Sequence, residues 1–168
     1  MIRQHKRKNG SNGRKGKAMD AGAGKRVEVR ALIPRDIEAV MQIDEKIKRR
    51  PTANAYWESK LADFMERDPN ACLAAVDDGR VVGFILGEIR GWEVRMERSG
   101  WIEVLGVDPG SQGRGIGRQL VEALLEYFRQ SGVEHVDTLL NWNDTDLVEY
   151  FRSVGFHRGD FVHLRRPL

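Results

Sequence analysis

Cysteine is almost absent from this chain of 168 residues, because Cys72 is the only one. A single thiol cannot close an internal disulfide, and it cannot supply the cluster of cysteines that a structural zinc site uses. Cys72 lies in the apolar segment CLAAV, where a buried and unreactive thiol is the expected role. The four histidines show no metal-ligand spacing either. The sequence therefore predicts neither a disulfide nor a metal site.

Long apolar segments are lacking as well. No run approaches the roughly 20 residues that a membrane-spanning helix needs. The basic N-terminus has no apolar segment of the kind found in secretory signals. The chain is long enough to build a single domain with a proper core. These absences predict a cytoplasmic protein with one folded domain.

Positive charge is concentrated at the N-terminus. The whole chain has a net charge of +3, but residues 1–26 hold nine Lys or Arg residues and one Asp, which leaves 19 basic and 24 acidic residues in the rest. Residues 1–25 have almost no apolar content, so we predict a disordered basic tail there and a folded domain over 26–168. The tail can contact nucleic acid weakly through phosphates, but a mildly acidic domain suits a cationic amine better. Nucleic acid is therefore not the expected main partner.

Residues 100–131 predict a strand, a glycine loop and an amphipathic helix in direct succession. A short apolar run from Ile102 to Val107 ends at the turn sequence D-P-G. From residue 116 onward, apolar residues recur at helical spacing. The residues on that apolar face are Ile116, Leu120, Val121, Leu124 and Phe128.

The loop between this strand and this helix has the sequence QGRGIG over residues 112–117. Glycines let the backbone approach a ligand closely, and the first N–H groups of a helix point out of its N-terminus. The helix dipole adds partial positive charge there, and Arg114 and Arg118 add full charges. We therefore predict that the loop binds a phosphate or diphosphate group.

Spacing excludes two common phosphate-binding motifs. A dinucleotide fingerprint would need a glycine at Arg118, and a P-loop would need a Gly-Lys-Ser/Thr triplet that does not follow.

What remains is Q-x-x-G-x-G after a strand that ends Val-Asp-Pro. This pattern resembles the diphosphate loop of the GCN5-related N-acetyltransferases, the GNAT superfamily. A second segment, LVEYFRSVGF over 147–156, resembles the family motif A-x-x-Φ-Y-x-x-x-G-F, which lines the thiol arm of coenzyme A.

The resemblance covers the chain from Val27 to the C-terminus and implies the GNAT fold, which is α/β with a mixed, mostly antiparallel sheet flanked by helices. The patterning itself predicts the order β-α-α-β-β-β-α-β-α-β, with a hairpin at Asp78-Gly79. The predicted strands cover 27–32, 71–77, 80–89, 100–107 and 133–142, and 156–165 is predicted as a last strand or hairpin. The predicted helices begin at 34, cover 55–67, begin at 116 and cover 145–154, the last with Asp144 as its N-cap.

The resemblance also implies where acetyl-CoA binds. In the family, the strand before the loop carries a bulge, expected here at Gly106, and splays from its parallel neighbour so that the pantetheine arm enters the gap. Backbone groups of Leu105 to Val107 would bond the acetyl carbonyl and the arm, and the N–H groups of the loop would hold the diphosphate. The expected cofactor-binding residues are Leu105, Gly106, Val107, Gln112, Gly113, Arg114, Gly115, Ile116, Gly117, Arg118, Asp144 and Phe151.

The implied reaction is direct attack of a primary amine, on a small molecule or a protein N-terminus or lysine, on the thioester of acetyl-CoA. Glu103 is the predicted catalytic base, because it is an acid in an apolar strand and shares a face with Leu105 and Val107. A salt-bridged edge carboxylate is an equally good interpretation of Glu103. The tyrosine of the family motif falls on Phe151, which has no proton to give, and Tyr150 lies about 100° away around the helix.

Two further questions stay open from the sequence. A non-catalytic acyl-CoA-binding sensor of the same fold is the alternative to an acetyltransferase, and Phe151 is the reason for it. The acceptor amine is not named by any pattern, and the oligomeric state is equally open, with a homodimer through the C-terminal strands as one expectation.

Overall fold

The computed structural model describes residues 27–48, 54–91, 98–160 and 162–168, with the backbone alone at 54–56. The predicted basic tail over 1–25 lies outside these residues. The described elements, in chain order, are β1 Glu28–Ala31, a short 3-10 turn Pro34–Asp36, α1 Ile37–Lys48, α2 Asn54–Arg67, β2 Cys72–Asp77, β3 Arg80–Arg90, β4 Ser99–Val107, α3 Ile116–Gln130, β5 Val136–Thr138 and α4 Thr145–Ser153.

The strands form one sheet in the order β1-β2-β3-β4-β5. The first four strands pair antiparallel, and β5 pairs parallel to β4. The tight turn between β2 and β3 has positive φ at Asp78 (50°) and Gly79 (76°), as a two-residue hairpin requires. The predicted mixed, mostly antiparallel sheet is confirmed.

Helices cover both faces of the sheet and make two cores. On one face, α3 buries Leu120, Leu124 and Phe128 against β3 and β4. On the other face, α1 and α2 bury a second cluster that includes Leu61 and Phe84. The α3 helix can approach closely because β3 and β4 carry glycines beneath it. A Cβ built on Gly100 would lie 2.6 Å from the ring of Phe128.

The bulge in β4 lies at Glu103 and not at Gly106. Across β3 and β4, Leu86 pairs with Val104 while Gly87 pairs with Ile102, so Glu103 is the extra residue. The prediction of a bulge at Gly106 is therefore wrong. Gly106 is a glycine for another reason, since a Cβ there would lie 2.6 Å from the Phe84 ring.

The chain after α3 contains less strand than its apolar pattern predicts. The strand predicted over 133–142 is limited to Val136–Thr138, and the last strand predicted over 156–165 is absent from residues 156–160 and 162–165. Val162 and Leu164 keep 67% and 87% of their surface exposed. Alternating apolar residues form a strand only where a neighbouring strand supplies hydrogen bonds. Within the described chain, no strand lies beside residues 156–160 or 162–165.

Candidate functional site

A gap opens between β4 and β5 next to the bulge. The two strands pair only at Gly100 with Val136, Trp101 with Asp137 and Ile102 with Thr138. The hydroxyl of Thr138 donates to the carbonyl of Ile102 (3.0 Å) at the last pair. From Glu103 to Val107, no residue of β5 lies opposite β4. The separation of parallel strands expected from the resemblance is therefore present, and the backbone edge of β4 beyond Ile102 is available to a ligand.

The glycine loop forms an open nest of N–H groups at the start of α3. Gly113 and Gly115 have φ values of 76° and 75°, in the left-handed region that favours glycine. A Cβ on either would meet no atom within 4 Å, so the loop faces open space. Gly115 is the N-cap of α3 and offers no side chain to the first N–H groups. These groups, with the helix dipole behind them, fit a phosphate.

The side chains around the nest have protein partners. Arg114 Nη1 lies 2.8 Å from Asp77 Oδ2 at the end of β2, and Arg118 Nη2 donates to the carbonyl of Ser153 at the end of α4 (2.9 Å). Gln112 Nε2 donates to the carbonyl of Val107 (3.3 Å). An exposed ion pair such as that of Arg114 contributes little stability. Arg118 is exposed and bonds a backbone carbonyl, so both arginines can exchange their partners at small cost.

At Ile116 and Gly117, the last two residues of the loop, only the backbone is available to a ligand. The Ile116 side chain is 1% exposed and belongs to the core beneath α3. A Cβ on Gly117 would lie 3.0 Å from the hydroxyl of Tyr150. That hydroxyl is buried without a hydrogen-bond partner among the described residues, and burial raises the pKa of Tyr150 above its ordinary value.

Asp108 holds the turn that leads from β4 into the nest. Its Oδ1 accepts the N–H of Gly110 (3.0 Å), and its Oδ2 lies 2.6 Å from Lys46 Nζ on α1. The Lys46 ammonium, followed by the Gly110 N–H, lowers the pKa of Asp108 below its ordinary value. The entrance of the nest is thus tied to α1 across the sheet.

Glu103 pairs with Arg90 on the face of the sheet opposite α3. Its Oε1 lies 2.6 Å from Arg90 Nη2, and the Arg90 guanidinium also stacks 4.5 Å over the Trp101 ring. The extra residue at the bulge turns Glu103 to the face of Val104, whereas Leu105 and Val107 pack against the α3 core. The prediction that Glu103 shares a face with Leu105 and Val107 is therefore wrong, and the salt-bridge interpretation describes its contacts.

The predicted residues on α4 have structural roles in the described chain. Asp144 Oδ1 accepts the N–H of Leu147 (3.2 Å), so it is the N-cap that the sequence predicts. Phe151 is 3% exposed and packs edge-on against Tyr150 and Phe156, with centroid distances of 5.4 and 5.2 Å. The structure thus places the Phe151 ring in the core.

A cavity of about 390 Å³ lies beside β4 on the face of α1 and α2. Its floor is apolar and includes Trp57, Phe84 and the β4 residues Leu105 and Gly106. Asp44 is a carboxylate in this lining, although it is only 4% exposed. Asp44 Oδ2 lies 2.8 Å from Lys48 Nζ, which itself lies 4.9 Å from the Trp57 ring centroid.

The sequence reasoning missed Asp44, and its signal was available. Asp44 directly follows Ile43 and lies four residues after Val40, so it belongs to the buried stripe of α1. A carboxylate on the apolar side of an amphipathic helix is unusual and points to a partner or a function. Glu103, in contrast, is not among the residues that line the cavity.

Two absences are limited to the described residues. Within them, no three His, Cys, Asp or Glu side chains are grouped as metal ligands would be, and His157 and His163 are exposed. No helix among them is both long enough and apolar enough to cross a bilayer.

Comparisons with known proteins agree with this architecture. The acetyltransferase (GNAT) family matches residues 37–156. The mycothiol acetyltransferase of Arthrobacter sp. (strain FB24) is 31% identical over 147 residues, covering 84% of this chain and 46% of that protein. An uncharacterized N-acetyltransferase of Methanocaldococcus jannaschii is 24% identical and is covered to 62%. The chain thus spans about half the length of the mycothiol acetyltransferase and under two thirds of the other relative.

A solved structure shows the same fold. The aminoglycoside N-acetyltransferase AAC(6')-Iy, in complex with CoA, superposes with a TM-score of 0.76 at 18% identity, over 87% of this chain and 97% of that one. With the family match over most of the described domain, the chain belongs to the acetyltransferase (GNAT) family.

Proposed function

We propose that this protein is an N-acetyltransferase that moves the acetyl group of acetyl-CoA to a primary amine. One observation carries the proposal: the unpaired edge of β4 from Glu103 to Val107 lies directly before the glycine nest at the start of α3. A ligand with an extended amide arm and a diphosphate can use both at once, because the strand edge offers amide partners and the nest offers N–H groups.

The geometry of the nest supports a diphosphate as its ligand. Its two positive-φ glycines face open space, and its N–H groups have no side-chain cap. Arg114 and Arg118 border the nest with partners that are easily exchanged. We propose that the backbone from Gln112 to Gly117 holds the diphosphate, and that the backbone of Leu105 to Val107 orients the arm and the thioester.

The acceptor amine is proposed to enter from the cavity beside α1 and α2. This cavity reaches the backbone of Leu105 and Gly106, which is the part of β4 assigned to the thioester. Trp57 and Phe84 offer an apolar and aromatic floor, and the Asp44 carboxylate, which is paired with Lys48, adds negative charge to the lining. An acceptor with a cationic amine on an apolar or aromatic skeleton suits this lining.

The chemistry requires a base, a carbonyl polariser and a route for the thiolate. Once the ammonium has lost one proton, the amine nitrogen bonds to the thioester carbon, the C–S bond breaks, and coenzyme A leaves as the thiolate. The acylated nitrogen then gives its extra proton to water, and water supplies the proton that the thiolate takes up. We propose Glu103 as the base that removes the ammonium proton, because it directly precedes the three β4 residues, Val104 to Gly106, that line the acceptor cavity. Arg90 fixes its carboxylate, and N–H groups of β4 polarise the carbonyl.

A sensor that binds acyl-CoA without turnover is the second candidate. Two observations favour it. Phe151 supplies no proton and is buried in the core, and the carboxylate of Glu103 is already paired with Arg90. The nest and the gap would serve a sensor equally well, so only a measurement of turnover separates the two functions.

The test uses the full chain, acetyl-CoA and a panel of amines that includes polyamines, aminoglycosides, cysteinyl compounds and peptides. Release of free thiol that depends on the amine, and a product heavier by one acetyl group, support the enzyme. Tight binding of acetyl-CoA in calorimetry with no thiol release from any amine supports the sensor. Absence of acetyl-CoA binding overturns both.

Location and assembly follow as parts of the proposal. A cytoplasmic protein would have direct access to acetyl-CoA. The exposed apolar residues near the C-terminus, Val162, Leu164 and Leu168, suit a homodimer contact, in which the unpaired segment after α4 gains a strand partner. Sedimentation of the full chain against a chain ending at residue 160 tests this contact.

A further inference from the structure

We propose that the protein has a second anion site, separate from the nest, that binds a small phosphorylated molecule. The site is a cavity of about 510 Å³ between α1, β1 and the turn that joins β2 to β3. It lies on the face of α1, whereas α3 covers the opposite face of the sheet. Four cationic side chains line it, namely Arg30, Arg35, Lys46 and Arg80.

The pairing of these cations leaves a surplus of two positive charges. Arg30 makes two bonds to the Asp36 carboxylate (2.6 and 3.0 Å), and Lys46 pairs with Asp108 (2.6 Å). Arg35 and Arg80 make no hydrogen bond or ion pair with another residue in the described part of the chain, although each acts on a nearby carboxylate through its charge. A cavity with two guanidinium groups that form no ion pair within the described chain fits a dianion.

A phosphate monoester matches this surplus better than a carboxylate does. At neutral pH it carries nearly two negative charges on one group, with three strong acceptor oxygens. Guanidinium groups present parallel N–H donors that suit such oxygens. Arg35 lies in the turn before α1 and Arg80 begins β3, so the two donors come from different walls of the cavity. Ala39, Ile43 and Val81 give the carbon skeleton an apolar wall.

The site is linked to the nest through one side chain. Lys46 lines the cavity and holds Asp108, whose other oxygen accepts the Gly110 N–H at the entrance of the nest. An anion that draws Lys46 toward itself leaves the negative charge of Asp108 uncompensated beside the nest. We therefore expect the phosphorylated ligand and acetyl-CoA to weaken each other's binding by the same factor, at least about fivefold.

The first experiment measures binding of inorganic phosphate and of glucose 6-phosphate to the full chain by calorimetry, with chloride at equal ionic strength as the control. Saturable binding that the double variant Arg35→Gln/Arg80→Gln loses by at least about tenfold supports the site. The matched variant Arg129→Gln/Arg165→Gln, which removes the same charge from exposed positions elsewhere, should bind as the unaltered chain does. Binding that survives Arg35→Gln/Arg80→Gln overturns the proposal.

The second experiment separates this site from the nest. Phosphate is titrated in the presence of saturating CoA, and binding with reduced affinity is expected. Complete loss of phosphate binding under CoA overturns the proposal of a separate site.

The same conclusion follows if Arg35→Gln/Arg80→Gln lowers the affinity for CoA but not the affinity for dephospho-CoA, because the cavity would then hold the 3'-phosphate of CoA. Equal affinity for citrate overturns the assignment to phosphate. Failure of CoA to bind would sink the proposed acetyl transfer while leaving the first experiment valid.

Discussion

The guanidinium Nη2 of Arg90 lies 2.6 Å from Oε1 of Glu103, and this ion pair joins β3 to the bulge of β4. Arg90 also binds Glu88 through its Nε (2.6 Å), so two carboxylates share one guanidinium. The two carboxylates differ in position. Glu103 directly precedes the β4 residues that line the proposed acceptor cavity, whereas Glu88 is bound by Arg67 at the end of α2.

This difference allows the catalytic role of Glu103 to be tested against a structural one. If Glu103 is the base, Glu103→Gln should lower kcat by about 100-fold or more with little change in KM, the size of effect that a general base contributes. Steady-state kinetics of thiol release measures both constants. Glu88→Gln is the control, because it also removes one carboxylate from Arg90. Equal losses of activity in both variants would mean that Glu103 only positions β4.

The backbone of the nest gives the second prediction. Gly115→Val should raise the dissociation constant of acetyl-CoA by at least about tenfold, because the new side chain would project into the open space in front of the N–H groups. A residue other than glycine at φ 75° is also strained, at a cost of roughly 1–2 kcal/mol in the free energy of unfolding.

Gly132 separates strain from binding. It has φ 72° with no atom near its built Cβ, and it follows the end of α3, far along that helix from the nest. Gly132→Val should lose a similar free energy of unfolding in urea but keep the affinity for acetyl-CoA in calorimetry. Unchanged affinity in Gly115→Val would contradict the placement of the diphosphate.

The nest was predictable from sequence because every feature of it is local. A glycine with positive φ, a run of unpaired N–H groups and a change from strand to helical period are all encoded within about 20 neighbouring residues. The bulge at Glu103 was not predictable in this way. It is fixed by the register between β3 and β4, and a one-residue offset turns a side chain to the opposite face. The prediction for the face on which the Glu103 side chain lies was wrong for that reason alone.

The same distinction explains the other outcomes. Asp144 acts as an N-cap through a bond to Leu147, three residues away, so its sequence position sufficed. The strand predicted over 156–165 depends on a partner strand that the described chain does not supply. The position of Asp44 on the buried stripe of α1 was predictable, but the cavity that it lines was not, because Trp57 and Phe84 come from other elements.

Close packing of α3 on β4 gives the third prediction. Gly100→Ala should lower the free energy of unfolding by about 1–3 kcal/mol, because the added methyl group would lie 2.6 Å from the Phe128 ring in a filled core. Gly159→Ala is the control, since a Cβ there meets nothing within 4 Å. Urea denaturation of both variants measures the difference. A loss confined to Gly159→Ala, or none in Gly100→Ala, would contradict the described packing.

The pair of Arg30 and Asp36 gives a prediction on pH. The Arg30 guanidinium, followed by the Ile33 N–H, holds the pKa of Asp36 below its ordinary value of 3.8, with burial acting the other way. A lowered pKa in the folded state means that stability is present above pH 3.8 and is lost as the pH falls through the folded value. Asp36→Asn should therefore cost about 1–3 kcal/mol at pH 7 and progressively less below pH 4.

The control for this pair is Asp63→Asn on the exposed side of α2. It should change the free energy of unfolding by less than about 0.5 kcal/mol at either pH. Urea denaturation at pH 7 and at pH 3 gives the four values needed. A cost for Asp36→Asn that is the same at both pH values would show that the carboxylate charge is not what stabilises the pair.

The thiol of Cys72 gives the last prediction, and it bears on every assay that detects free coenzyme A. Cys72 is fully buried, and burial, with a smaller contribution from Asp68, raises its pKa to about 12. Only about one molecule in 10,000 then carries the reactive thiolate at pH 8. A disulfide reagent should therefore not titrate the folded chain within minutes but should titrate one thiol in denaturant.

Because the pKa of Cys72 is raised above the ordinary 9.0, the stability that its protonated thiol contributes is fully present below pH 9 and declines as the pH rises toward 12. Rapid reaction of one thiol at pH 8 without denaturant would mean that the strand carrying Cys72 opens readily, and the core between the sheet and the first two helices would then be looser than described.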